Sequence, residues 1–175
     1  KLWGDIKDYS VNDLNKLTEK IKYAPNSNPT YEVETKGSQV LDYNFNNDRG
    51  LDKSGNEFNM VAQENISYEE GKNRNAMSLK GETSYVETPL EDLGLNSYLE
   101  FWIKRDSNSG DDEQILFESE NGAIKAVQRD TGKFGFSREG RDYSFNYELP
   151  KDEWVKIKLE TEFARTLLYV NDEFV

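Results

Sequence analysis

Residues 98–105 read YLEFWIKR, and their alternation separates Leu99, Phe101 and Ile103 from Tyr98, Glu100, Trp102 and Lys104. In an extended strand successive side chains point to opposite faces, so one face here is apolar and the other mixes aromatic rings with charge. A helix would scatter the same residues around its circumference. Residues 153–161, EWVKIKLET, repeat the pattern, setting Val155, Ile157 and Leu159 against Trp154, Lys156 and Lys158. Strands with one dry face need a second layer to cover it.

The neighbouring sequence supplies that layer. Short runs of period-two alternation occur at 39–45, 75–80, 84–89, 113–119, 123–129, 133–138, 141–149 and 166–175. Between them lie turn-forming stretches such as SNSGDD, SENG, RDTG, REG and LPKD. In RDYSFNYEL the residues Tyr143, Phe145, Tyr147 and Leu149 share a face, and in 166–175 Leu168 and Val170 oppose Leu167 and Tyr169. Strands at this spacing, joined by loops of a few residues, predict a mainly β, antiparallel β-sandwich. Residues 10–23 differ: Val11, Leu14, Leu17 and Ile21 recur at helical spacing behind the capping residue Ser10, which predicts one short N-terminal helix. Pro25 and the turn-rich APNSNPT that follows end it. The expected division is a helix and linker over 1–37 and a sandwich over 38–175.

Composition excludes several functions. The 175 residues carry 22 Lys and Arg against 34 Asp and Glu, a net charge of −12, with no histidine and no cysteine. Such a chain repels phosphate backbones, so nucleic acid is not expected as a partner. No run approaches the roughly 18 consecutive apolar residues of a spanning helix, and membrane insertion by a helix is not expected. Without histidine and cysteine there is no Ser-His-Asp or Cys-His chemistry and none of the usual structural zinc sites. Carboxylates, tyrosine and lysine remain. Glu118 with Glu120, and Glu160 with Glu162, place two carboxylates on one strand face, but both pairs read as solvated strand ends, so the chain is expected not to be an enzyme.

The order of motifs over residues 40–175 resembles the laminin G-like branch of the concanavalin A-like superfamily. The opening strand is followed by an Asp-x-Ser-Gly-Asn turn at Asp52, Ser54, Gly55 and Asn56; a Leu-x-Gly strand end falls at Leu79 and Gly81, and an aromatic-Val pair at Tyr85 and Val86. Trp102 matches the family's central strand tryptophan, Trp154 its Gly-x-Trp approach, and Tyr169, Val170, Asn171 and Asp172 its Tyr-Val-Asp-Gly hairpin. The resemblance implies a concanavalin A-like jelly roll. The family normally continues with a further strand pair, so a sandwich lacking its last strands is expected. Upstream, Trp3, Gly4 and Asp5 with the helix after them resemble the end of the barrel in family 20 glycoside hydrolases, the β-N-acetylhexosaminidases. Together these resemblances imply a non-catalytic accessory module of an extracellular or cell-surface bacterial carbohydrate-active enzyme. It would bind a glycan or position a neighbouring catalytic domain of the same polypeptide. A structural spacer or protein-binding adhesion module without sugar affinity is the alternative.

Two sets of residues are candidates for binding. Tyr98, Trp102, Tyr143 and Tyr147 could form a sugar platform, since pyranose rings stack on aromatic faces, although aromatic side chains also fill cores. Asp48 and Asp52 in one loop, and Asp106, Asp111 and Asp112 in another, could supply oxygen ligands for calcium as a cofactor. Asp is equally an ordinary turn residue, and neither loop has EF-hand spacing.

Overall fold

The computed structural model describes residues 39–46, 50–91, 96–162 and 165–175, all within the compact unit Gly37–Val175. The helix expected over 10–23, and with it Trp3, Gly4 and Asp5, lies outside the described residues, as does Asp48.

Every described element is β. The strands are β1 (Ala62–Glu64), β2 (Ile66–Gly71), β3 (Arg74–Leu79), β4 (Tyr85–Glu87), β5 (Ser97–Ile103), β6 (Gln114–Ser119), β7 (Gly122–Val127), β8 (Gly135–Arg138), β9 (Arg141–Ser144), β10 (Val155–Glu162), β11 (Arg165–Val170) and β12 (Glu173–Phe174). Two four-stranded antiparallel sheets dominate, one ordered β12-β11-β10-β5 and the other β6-β7-β8-β9, with two-stranded ladders β1-β4 and β2-β3 beside them. The architecture is an antiparallel β-sandwich.

The dry faces read from alternation are the ones that meet. Val155, Ile157, Leu159 and Leu168 from the first sheet join Ala126, Val127, Phe134 and Leu149 in the buried core. Phe101, Ile103, Leu116, Ile124, Phe145, Tyr147 and Val170 pack around them. Phe101 of β5 meets Phe117 of β6 edge-on at 5.1 Å, which fixes these two faces as facing layers. Each fully buried Val, Ile, Leu or Phe side chain contributes about 1.5–3 kcal/mol relative to exposure, so this cluster is what holds the sheets together.

Local features depart from the alternation reading, and the strand expected over 141–149 ends at Ser144. Residues 39–45 do not form a strand; their backbone is taken up by the turn that follows. Asp42 N–H donates to Asp52 Oδ1, Lys53 N–H to Asp42 O, and Ser54 Oγ and Asn56 Nδ2 to Val40 O. Conversely, β1 and β2 arise in the polar stretch 62–71, where Ile66 and Tyr68 turn inward and Asn65, at φ 49°, breaks the run between the strands. The pairing of β6 with β7 slips twice: Gln114 faces Val127, Ile115 faces Lys125 and Phe117 faces Ile124. One extra residue in each strand, Leu116 and Ala126, forms a pair of compensating bulges. The β11-β12 hairpin turns on Asn171 and Asp172, both left-handed at φ 51° and 70°, a geometry that Asn and Asp enter more readily than other non-glycine residues.

Candidate functional site

The residues expected to bind sugar divide among three environments. Tyr98 and Trp102 stand on the outer face of β5, 57 % and 39 % exposed. Tyr143 on β9 is 46 % exposed and stacks on Phe136 at 5.1 Å. Tyr147 is half-buried against the core, and burial first, then the charge of Glu153, pushes its hydroxyl above the usual tyrosine value. Tyr98 and Trp102 are therefore brought together, whereas Tyr143 belongs to the other sheet and Tyr147 to the packing between them.

Strand register defines the surface around Tyr98 and Trp102. Tyr98 lies opposite Glu160, Glu100 opposite Lys158, and Trp102 opposite Lys156. On the next strand Tyr169 lies opposite Lys158 and Leu167 opposite Glu160, and Phe174 of β12 lies opposite Tyr169. Aromatic rings and charged groups thus alternate across the whole outer face. Lys156 Nζ reaches Asp172 at 2.9 Å and Glu100 at 3.2 Å, and Lys158 pairs with Glu160. Hydrogen bonds donated to Asp172 and then to Glu100 raise Lys156 above the usual lysine value, and one donated to Glu160 does the same for Lys158. Both ammonium groups stay charged throughout the neutral range.

Three lysines also lie over rings on this face: Lys72 over Trp102 at 5.3 Å, Lys104 over Trp154 at 5.5 Å and Lys158 over Tyr169 at 5.1 Å. Lys72 comes from the turn joining β2 to β3, so a separate hairpin also contributes to the surface. Alternation placed Trp102 and Trp154 on the wetter faces of their strands. It gave no sign of Lys72, because that contact spans thirty residues of sequence.

The carboxylates considered for calcium are spread apart and largely engaged. Asp52 accepts four hydrogen bonds: from Asp42 N and Ser54 N at 2.9 Å to Oδ1, and from Ser54 Oγ at 2.7 Å and Phe58 N at 3.1 Å to Oδ2. Burial works to raise this carboxyl, but the Ser54 hydroxyl and the three amides together outweigh it and hold the group at about 2, down from 3.8. Asp52 is the tie of its turn, its lone pairs filled by donors in the chain.

In the second loop, Asp106 accepts from Asn108 N at 2.8 Å as an Asx turn. Asp111 lies 3.1 Å from Lys151 and 3.7 Å from Arg105, and the hydrogen bond from Lys151 leads in lowering its carboxyl. Arg105 is itself buried, donating to Leu149 O, Gly110 O and Gln114 Oε1, so Asp111 compensates a cation held by the fold. Asp112 is exposed beside them. Among the described residues no three carboxylates converge on a point that could hold a metal ion.

Of the two carboxylate pairs, one is committed to cations, Glu160 to Lys158 and Glu162 to Arg165, while Glu118 of the other is exposed at the end of β6. One further charged cluster escaped the sequence reading. Lys125 is buried, with Glu113 at 2.8 Å and Asp142 at 2.9 Å. Lys125 follows Ile124 in regular pairing with β8, so alternation puts it on the outer side of its sheet, where two carboxylates neutralise it. Hydrogen bonding to Glu113 leads in raising its pKa.

Searches against family profiles and curated proteins find no match. Among solved structures, the chain is similar to the crystal structure of the binding domain of Paraclostridial Mosquitocidal Protein 1, with a TM-score of 0.61 and 16 % sequence identity. The likeness covers 78 % of this chain and 39 % of that one, so the chain spans well under half the length of its structural neighbour. At this identity the comparison establishes a shared fold.

Proposed function

We propose that this chain is a non-catalytic glycan-binding module of an extracellular carbohydrate-active protein, and that it binds on the outer face of the β5-β10-β11-β12 sheet. One observation carries the reading: Tyr98 and Trp102 are exposed on one strand face and bordered by fixed charges on Glu100, Lys156, Lys158 and Glu160. A pyranose presents an apolar ring face edged by hydroxyls. Such a surface offers aromatic rings for the former and both donors and acceptors for the latter.

The resemblance of residues 40–175 to laminin G-like domains supports a binding role, and so does the description of the structural neighbour as a binding domain. The commitment of Glu160 and Glu162 to cations supports the absence of catalysis. The resemblance of residues 1–24 to the end of a hexosaminidase barrel supports a place beside a catalytic domain in one polypeptide.

A glycan array probed with the chain on a multivalent reporter, with calcium and with chelator, tests this reading. A specific hit is expected, weakened about two- to tenfold in W102A and again in Y98A, the worth of a stacked ring. A blank from chain shown to be folded would overturn it in favour of a spacer. A hit lost on chelation would bring calcium and the acidic loops into the site.

A further inference from the structure

We infer that the glycan recognised on this face is anionic, a saccharide bearing a carboxylate or sulfate. This rests on the glycan-binding reading above. The inference starts from how lysines are partnered. Lys80, Lys125, Lys151, Lys156 and Lys158 each reach a carboxylate. Lys72 and Lys104 instead have an indole ring as partner, and no carboxylate pairs with either among the described residues.

These two ammonium groups serve adjacent rings. Trp102 lies opposite Lys156, Trp154 immediately precedes β10, and Lys104, two residues after Trp102, lies over the Trp154 ring, so the two indoles are neighbours. The carboxylates nearest this pair in the ladder, Glu100 and Asp172, are both taken by Lys156. Among the described residues the patch therefore has three cations, Lys72, Lys104 and Lys156, to two anions, Glu100 and Asp172, in a chain whose total is −12.

Distant charge does not cancel this local excess. At physiological salt the field of an exposed group is screened over about 8 Å, so a bound ligand responds to the charges beside it. Lysine over an indole is held weakly enough to be drawn to a stronger partner, and a carboxylate or sulfate is one. A sugar seated at Trp102 could present its acidic group to Lys72 on one side and Lys104 on the other. A neutral sugar stacked on Trp102 would displace Lys72 from the ring and offer it no charged partner in return.

The test titrates the 175-residue chain with oligosaccharides in matched pairs. Each pair is a uronate-bearing member with its carboxyl-reduced counterpart, or a sulfated member with its desulfated one. The acidic member should bind about three- to tenfold tighter at 50 mM NaCl, the range that two exposed charge contacts supply. The preference should shrink at 300 mM NaCl. It should disappear in the double variant K72Q/K104Q, whose unchanged urea midpoint shows that the fold is intact. Equal binding of both members, or a preference that survives in the double variant, overturns the inference and leaves the glycan reading standing. Binding of neither member to folded chain overturns both.

Discussion

Asp52 shows how one side chain can replace a strand pairing. Its carboxylate gathers the amides of Asp42, Ser54 and Phe58 and the Ser54 hydroxyl, and so fixes residues 39–45 without a ladder. In D52N the amide NH₂ would face donors it cannot accept from, and the lost bonds should cost about 1–3 kcal/mol. The effect depends on pH. Because the folded-state value is depressed from 3.8 to about 2, the stabilisation is complete above the ordinary value and disappears as pH falls through about 2. Urea unfolding at pH 6 and pH 2 should show the gap between wild type and D52N close at the lower pH. A constant gap would mean the carboxylate's charge is immaterial. The Asp-x-Ser-Gly-Asn spelling of this turn was legible in the sequence, but not that it would take over the preceding backbone, since alternation over 39–45 looked the same as that of true strands.

At the scale of elements, Gly135 on β8 marks where β8, β9 and the buried Gln128 approach too closely for a side chain. A Cβ there would lie 2.3 Å from Tyr143 O and 2.6 Å from Gln128 Nε2. Gln128, 1 % exposed, donates to the carbonyls of Phe136 and Tyr143 and accepts from Ser144, so it ties β8 and β9 to the end of β7. G135A should therefore cost about 1–3 kcal/mol in urea unfolding, because backbone has to move. A loss below 0.5 kcal/mol would show that β9 gives way freely. Strand identity was readable where alternation was unbroken, as in β5 and β10. It was not sufficient in β6, where Ile115 and Phe117 share parity in sequence yet face Lys125 and Ile124, on opposite sides of β7. A bulge changes the phase without changing the spelling, and the partners of Lys125, Glu113 and Asp142, come from distant parts of the chain that alternation does not connect. The candidate site shows the same limit: Tyr98 and Trp102 share a strand and were found together, whereas Tyr143 and Tyr147 were separated by tertiary packing.

Across the whole molecule, an excess of twelve negative charges is confined to a small sandwich. Self-repulsion of that net charge is screened by salt, and so are the exposed ion pairs, but the latter are worth only about 0–1 kcal/mol each. Repulsion should win, so the urea midpoint should rise between 50 and 500 mM NaCl. Urea is the suitable denaturant because guanidinium would itself supply the salt. A falling midpoint would show that ion pairs such as Lys156 with Glu100 and Asp172 govern stability. The ammonium groups held over Trp102 and Trp154 have an optical consequence as well. A cation beside an indole perturbs the energy of its excited state, so both chromophores are tuned by these lysines. With the chain's third tryptophan removed in W3F, the emission maximum becomes a gauge of where Lys72 and Lys104 rest, and displacement of either one should register as a change of colour.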